Sequence, residues 1–139
     1  MPERLARLTE RSTRTILAFD FGLKRIGVAV GEPELGTAHP LPAIAAPGFL
    51  SIEKLVREWR PAALVVGLPV AEQGEHALAR RVERFARQLE GRFRLPVERV
   101  DECFTSVEAE SRLRGMKRKA VDSVAAQLIL EQYLSEAAR

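Results

Sequence analysis

Three acidic positions stand where a chain of this kind has little reason to put charge. Asp20 is the one carboxylate in the apolar stretch ILAFDFGLKRIGVAVG, residues 16–31. Desolvating a charge in a buried strand costs several kcal/mol unless something compensates it. Asp101-Glu102 closes a short apolar segment, and Asp122 follows a basic run at the start of a helical pattern. Carboxylates brought together repel each other, so such a set makes sense around hard cations, Mg²⁺ or Mn²⁺. The chemistry this supports is phosphoryl transfer, with two metals about 3.5–4 Å apart clamping the attacking and leaving oxygens. Each acid also has an ordinary reading. Asp20 fits an Asx turn before Gly22, Asp122 fits a helix N-terminal carboxylate favoured by the dipole, and Asp101-Glu102 fits a turn.

The elements that must hold these acids follow from periodicity. Ile16 to Asp20 reads as a strand buried on both faces, and Ile26 to Val30 as its hairpin partner across Phe21-Gly22-Leu23-Lys24. Gly22 and Gly27 allow close backbone approach beside Asp20. The segment from His39 to Ala46 is broken by Pro40 and Pro42 and reads as an edge strand. Ser51 is placed to cap a helix whose Ile52, Leu55, Val56 and Trp59 share one face, which makes Trp59 a core residue and not a base-stacking platform. Residues 62–67 (AALVVG) form a second buried strand. A long helix from about Glu75 follows, with Leu78, Val82, Phe85 and Leu89 inward and Gly91 as its C-terminal cap. A short strand spans Val97 to Asp101. Thr105 to Glu108 matches a capping box for a helix ending near Gly115, and a final helix runs from about Ala120 to Ala137 with Val121, Val124, Leu128 and Ile129 inward. Five strands in this order give a mixed α/β sheet with helices on both faces.

A length of 139 residues fits one domain, and 46% hydrophobic content is enough for a real core. The lone cysteine, Cys103, excludes an internal disulfide framework. No stretch is long and apolar enough to span a membrane. Residues 1–14 mix both signs of charge, unlike a secretory signal, and read as an extension to a domain over 15–139; the expected location is cytoplasmic. His39 and His76 have no partner at metal-ligand spacing. The formal charge of +3 is compatible with a polyanion partner, and clustering matters more than the sum. One basic cluster runs from Arg80 to Arg94. The other, Arg112, Arg114, Lys117, Arg118 and Lys119, leads into Asp122 and is the better candidate for phosphate-backbone contact.

Four stretches together resemble one family: residues 20–27 (DFGLKRIG), 66–69 (VGLP), 101–109 (DECFTSVEA) and 119–130 (KAVDSVAAQLIL). They are similar to the YqgF/RuvX family of Holliday-junction resolvases, over roughly residues 15 to 135 and in the right order. The resemblance implies an RNase H-like fold and a metal-dependent endonuclease that acts on structured nucleic acid, with four-way DNA junctions as the leading substrate. It also implies an alternative, maturation of the 5′ end of pre-16S ribosomal RNA. On it, Asp20, Glu102 and Asp122 correspond to the catalytic, metal-binding acids, with Mg²⁺ or Mn²⁺ as cofactor. Lys24 and Arg25 sit in its hairpin motif as nucleic-acid contacts. Strand alternation leaves Asp101 and Glu102 facing opposite ways, and Glu102 is favoured as the inward one. The chain departs from the family's Asp-Glu-Arg by carrying Cys103 after Glu102, which leaves out a basic side chain. That departure keeps open a third reading, a binding module that has lost cleavage. Symmetric resolution of a junction would call for a homodimer.

Overall fold

Along Ile16–Asp20 (β1) and Arg25–Glu32 (β2), successive side chains go to opposite faces, and the sequence sorts them by size. One face collects Leu17, Phe19, Ile26, Val28 and Val30; the other collects Ile16, Ala18 and Ala29. The computed structural model describes residues 14–69, 76–102 and 118–137. Within them, β1 and β2 are followed by Thr37–Ala45 (β3), Phe49–Trp59 (α1), Ala63–Leu68 (β4), His76–Phe93 (α2), Val97–Asp101 (β5) and Arg118–Ala137 (α3). The five strands form one mixed sheet in the order β3-β2-β1-β4-β5. β1 pairs antiparallel with β2 and parallel with β4, and β4 pairs parallel with β5. The Pro-containing β3 lies at an edge, as its sequence predicts.

The large-residue face is covered by α1 and α2, whose Ile52, Val82, Phe85, Ala86 and Leu89 are buried in its core. Phe85 centres an aromatic group with Phe19, Phe21 and Phe49, and Trp59 packs against the same core. The small-residue face is covered by α3. Ala18, Ala29 and Ala38 let that helix sit close, and a Cβ at Gly31 would lie 3.0 Å from the Leu130 side chain. Burying the two apolar faces this way supplies the main stabilisation of the fold.

The helix ends differ from the sequence reading. Ser51 does not cap α1: the helix begins at Phe49, Gly48 is its N-cap in the left-handed region (φ 67°), and Ile52 N–H donates to the Gly48 carbonyl at 2.8 Å. Gly91 does not cap α2 either. It lies inside the helix, and Arg94 closes it with φ 54° and an N–H bond of 2.9 Å to the Glu90 carbonyl. Glycine is favoured at such positions but not required, because the backbone hydrogen bond that ends the helix does not involve the side chain. Helix α3 starts at Arg118, two residues before the expected Ala120, so Arg118 and Lys119 belong to its first turn. The helix expected from Thr105 to Gly115 lies outside the described residues.

Two of the outward-facing carbonyls of β5 are engaged by side chains. Glu102 N–H donates to the Leu68 carbonyl and Leu64 N–H to the Pro96 carbonyl, so even-numbered positions face β4 and Val97, Arg99 and Asp101 face away. The Val97 carbonyl accepts from Arg99 Nη1 and the Asp101 carbonyl from Gln132 Nε2, each at 2.7 Å.

Candidate active site

Asp20 is the last residue of β1, on the face covered by α3. Its partner on β2 is Gly27, and the register that pairs Phe19 with Val66 brings it beside Gly67 of β4. The carboxylate is therefore flanked by two strand positions that carry no side chain. Glu102, one step past the end of β5, approaches from the far side of Gly67. A Cβ at Gly67 would lie 3.2 Å from Glu102 Oε1 and 2.9 Å from Ile129 Cγ1, and would overlap Ile129 Cδ1. Gly67 thus leaves room in which the Glu102 carboxylate and α3 meet the sheet. The alternation that puts Val100 on this face puts Glu102 there too, and Asp101 on the opposite one.

The turn between β1 and β2 is tight at Gly22, where a Cβ would run into the Arg25 carbonyl. The close approach expected at Gly22 is thus to a neighbouring backbone segment. Ala46 N–H ties the turn to the end of β3 through the Lys24 carbonyl at 2.9 Å. Lys24 and Arg25 are exposed at the Asp20 end of the sheet.

Asp122 is the fifth residue of α3, past the first turn, where the dipole reading is weaker. Its side chain, with those of Arg118 and Lys119, lies outside the described residues, as do Cys103, Arg112, Arg114 and Lys117 entirely. The next residue fixes where the helix meets the sheet. The Ser123 hydroxyl is fully buried, accepts from Val28 N–H at 3.1 Å and donates to the Leu41 carbonyl. It bridges β2 and β3 at a register shift, where Ile26 pairs with Ile44 but Val28 with Leu41. Val28 neighbours Gly27, the partner of Asp20, so the start of α3 is anchored at the Asp20 end of the sheet. Further along, Gln127 Nε2 donates to the Ala38 carbonyl at 3.2 Å. Sequence reasoning passed over Ser123, Gln127, Gln132 and the spacing role of Gly67. A serine directly after a candidate ligand on a helix was the available signal for the first.

Among the described residues, no three His, Cys, Asp or Glu side chains form a group able to hold a cation. The pair present still suits one. Both donors are carboxylate oxygens, as hard divalent cations prefer, and the strand position between them, Gly67, adds no side chain of its own, its surface being covered by Ile129 beside Glu102 Oε1. His39, set aside as a ligand, is exposed on β3.

The sheet order, with an antiparallel hairpin joined to parallel strands, is that of the RNase H-like fold. T. thermophilus RuvC in complex with a Holliday junction substrate superposes with a TM-score of 0.60 at 14% identity, over 90% of this chain and 96% of that one. Fowlpox virus resolvase with its junction DNA gives 0.56 at 12% identity, over 90% and 99%. The chain belongs to the RuvX family, described as Holliday junction resolvase, whose model matches residues 14–136. A protein of Nitrosomonas europaea named "Putative pre-16S rRNA nuclease" is 49% identical, covering 94% of this chain and 97% of its own length. One of the same name from Methylobacillus flagellatus is 51% identical over 96% of each.

Proposed function

We propose that this chain is a metal-dependent endonuclease that hydrolyses phosphodiesters in precursor ribosomal RNA, at the 5′ end of pre-16S RNA. The observation that carries the reading is the Asp20–Gly67–Glu102 arrangement: two carboxylates on one sheet face, separated by a position with no side chain. The names of the full-length relatives favour RNA as the substrate. Asp20, Glu102 and Asp122 would hold Mg²⁺ or Mn²⁺. When bound, such a cation supplies the positive charge that polarises the phosphate and acidifies a water. Lys24 and Arg25 at the rim would meet the phosphates on either side of the bond, aided by Arg112, Arg114, Lys117, Arg118 and Lys119, and contacts of that kind position without reading sequence. The nuclease unit is residues 15–139.

A second substrate, the four-way DNA junction, is favoured by the family description and by the two junction-bound structures that share the fold. A homodimer would suit that reaction. Purified protein with Mn²⁺, offered a four-way junction and a pre-16S fragment side by side, separates the two. Cleavage of the RNA at a defined 5′ site is the expected result. Cleavage of the junction alone would reassign the substrate, and cleavage of neither would leave a binding module.

A further inference from the structure

Helix α2 carries arginines at 80, 81, 84, 87 and 92, all exposed. Its inward face is fixed by Val82, Phe85, Ala86 and Leu89, each buried. At 3.6 residues per turn, Arg80, Arg84 and Arg87 then form the ridge pointing away from the core, with Arg81 and Arg92 along one flank. The acids within the helix, Glu83 and Glu90, lie on the other flank, and both are engaged from the sheet. Arg99 of β5 holds Glu83 Oε2 at 2.6 Å and Glu90 Oε2 at 2.8 Å. Arg87 keeps a looser pair with Glu83 at 3.6 Å, its side chain 72% exposed. Among the described residues no ion pair joins Arg80, Arg81 or Arg84 to an acid.

A helix selected only for solubility mixes signs along its outer face. Here the acids are turned aside to Arg99 and the outer ridge is left cationic. The apolar face of α2 is buried, so it has none to insert into lipid. The ridge carries no aromatic side chain to stack a base, and guanidinium groups match phosphate oxygens in a planar, two-pronged way. The helix follows β4, so it begins at the Asp20 end of the sheet and runs away from it, and Arg80 to Arg87 cover about 10 Å of its axis.

We propose that the Arg80–Arg84–Arg87 ridge is a second anchoring surface that binds the phosphate backbone of the RNA substrate outside the cleft, on the sheet face opposite the carboxylate pair. This rests on the reading of the chain as an RNA nuclease. The full chain with Arg80→Gln, Arg84→Gln and Arg87→Gln together tests it, by binding in EDTA across a KCl series. The probes are a short RNA hairpin and a long pre-16S fragment. Lys54→Gln with Arg57→Gln on neighbouring α1 is the charge control. The expected result is at least tenfold weaker binding of the long RNA at low salt. Its log–log salt slope should flatten by about 2 to 3 for three lost contacts. The hairpin affinity and the melting temperature should stay unchanged. An unchanged slope, an equal loss on both RNAs, or an equal loss per charge in the control would overturn the proposal. So would tight binding of polyglutamate that the triple variant loses, since that assigns the ridge to an acidic protein. Wild-type protein that holds long RNA through the ridge yet cuts nothing would remove the nuclease reading and leave this surface standing.

Discussion

Asp20 has glycine beside it on both neighbouring strands, an arrangement that supports the proposed ligand role over a turn cap. A carboxylate that only capped its own turn would need no bare positions beside it on β2 and β4. Asp20→Asn is therefore expected to abolish cleavage, retain RNA binding, and leave its metal-free melting temperature equal or higher, since removing one of two carboxylates that share a site relieves repulsion. Mn²⁺ should raise the melting temperature of the wild type and not of the variant, because an ion that binds only the folded state stabilises it. A variant that melts lower yet still cuts would return Asp20 to the turn. Gly67→Ala should cost about 1–3 kcal/mol in denaturant unfolding, as its methyl overlaps Ile129. Stability equal to wild type would mean that α3 is not seated on Gly67. A lone charge in an apolar run and a charge at a strand end make Asp20 and Glu102 conspicuous in the sequence, but the residues alone leave turn readings open, and it is the family resemblance that picks them out as site candidates. Gly67 was not conspicuous, because the atoms it makes room for come from β5 and α3.

Between elements, polar side chains do the joining, and their effects are measurable. Ser123→Ala leaves the Val28 N–H and the Leu41 carbonyl without the buried hydroxyl that bridges them, an expected loss of about 1–3 kcal/mol. Chemical denaturation checks it, and a loss near zero would mean the strands re-pair directly. Arg99 ties α2 to β5, and hydrogen bonds to its guanidinium hold Glu83 and Glu90 below the ordinary carboxyl value of 4.5. A lowered carboxyl pKa contributes stability above 4.5 and loses it as pH falls below that value. Arg99→Gln should thus melt lower than wild type near neutrality, with the gap narrowing in acid below 4.5; a gap independent of pH would mean that Arg99 acts by packing alone. The mixture of an antiparallel hairpin with parallel crossover strands was legible, but the order was not, because the crossover through α1 joins β3 to β4, which are not neighbours in the sheet. The helix ends were less legible. A glycine or serine near an expected boundary reads as the cap, while arginines at 60 and 94 adopt the left-handed backbone that ends α1 and α2.

For the whole molecule, cleavage should disappear after exhaustive EDTA treatment and return with Mg²⁺ or Mn²⁺; full activity after EDTA would remove the metal reading. The outer boundary of the sheet carries a different consequence. Among the described residues β5 is an edge strand, and such an edge is a template on which another chain can pair, through the carbonyl and amide groups it leaves facing outward. Arg99 and Gln132 already occupy two of those carbonyls, at Val97 and Asp101. An incoming strand would have to displace both a guanidinium held by two glutamates and an amide held on α3. Copies of this chain that associate should therefore do so through other surfaces, and growth of sheet from molecule to molecule is opposed from the β5 side by side chains that also brace the fold.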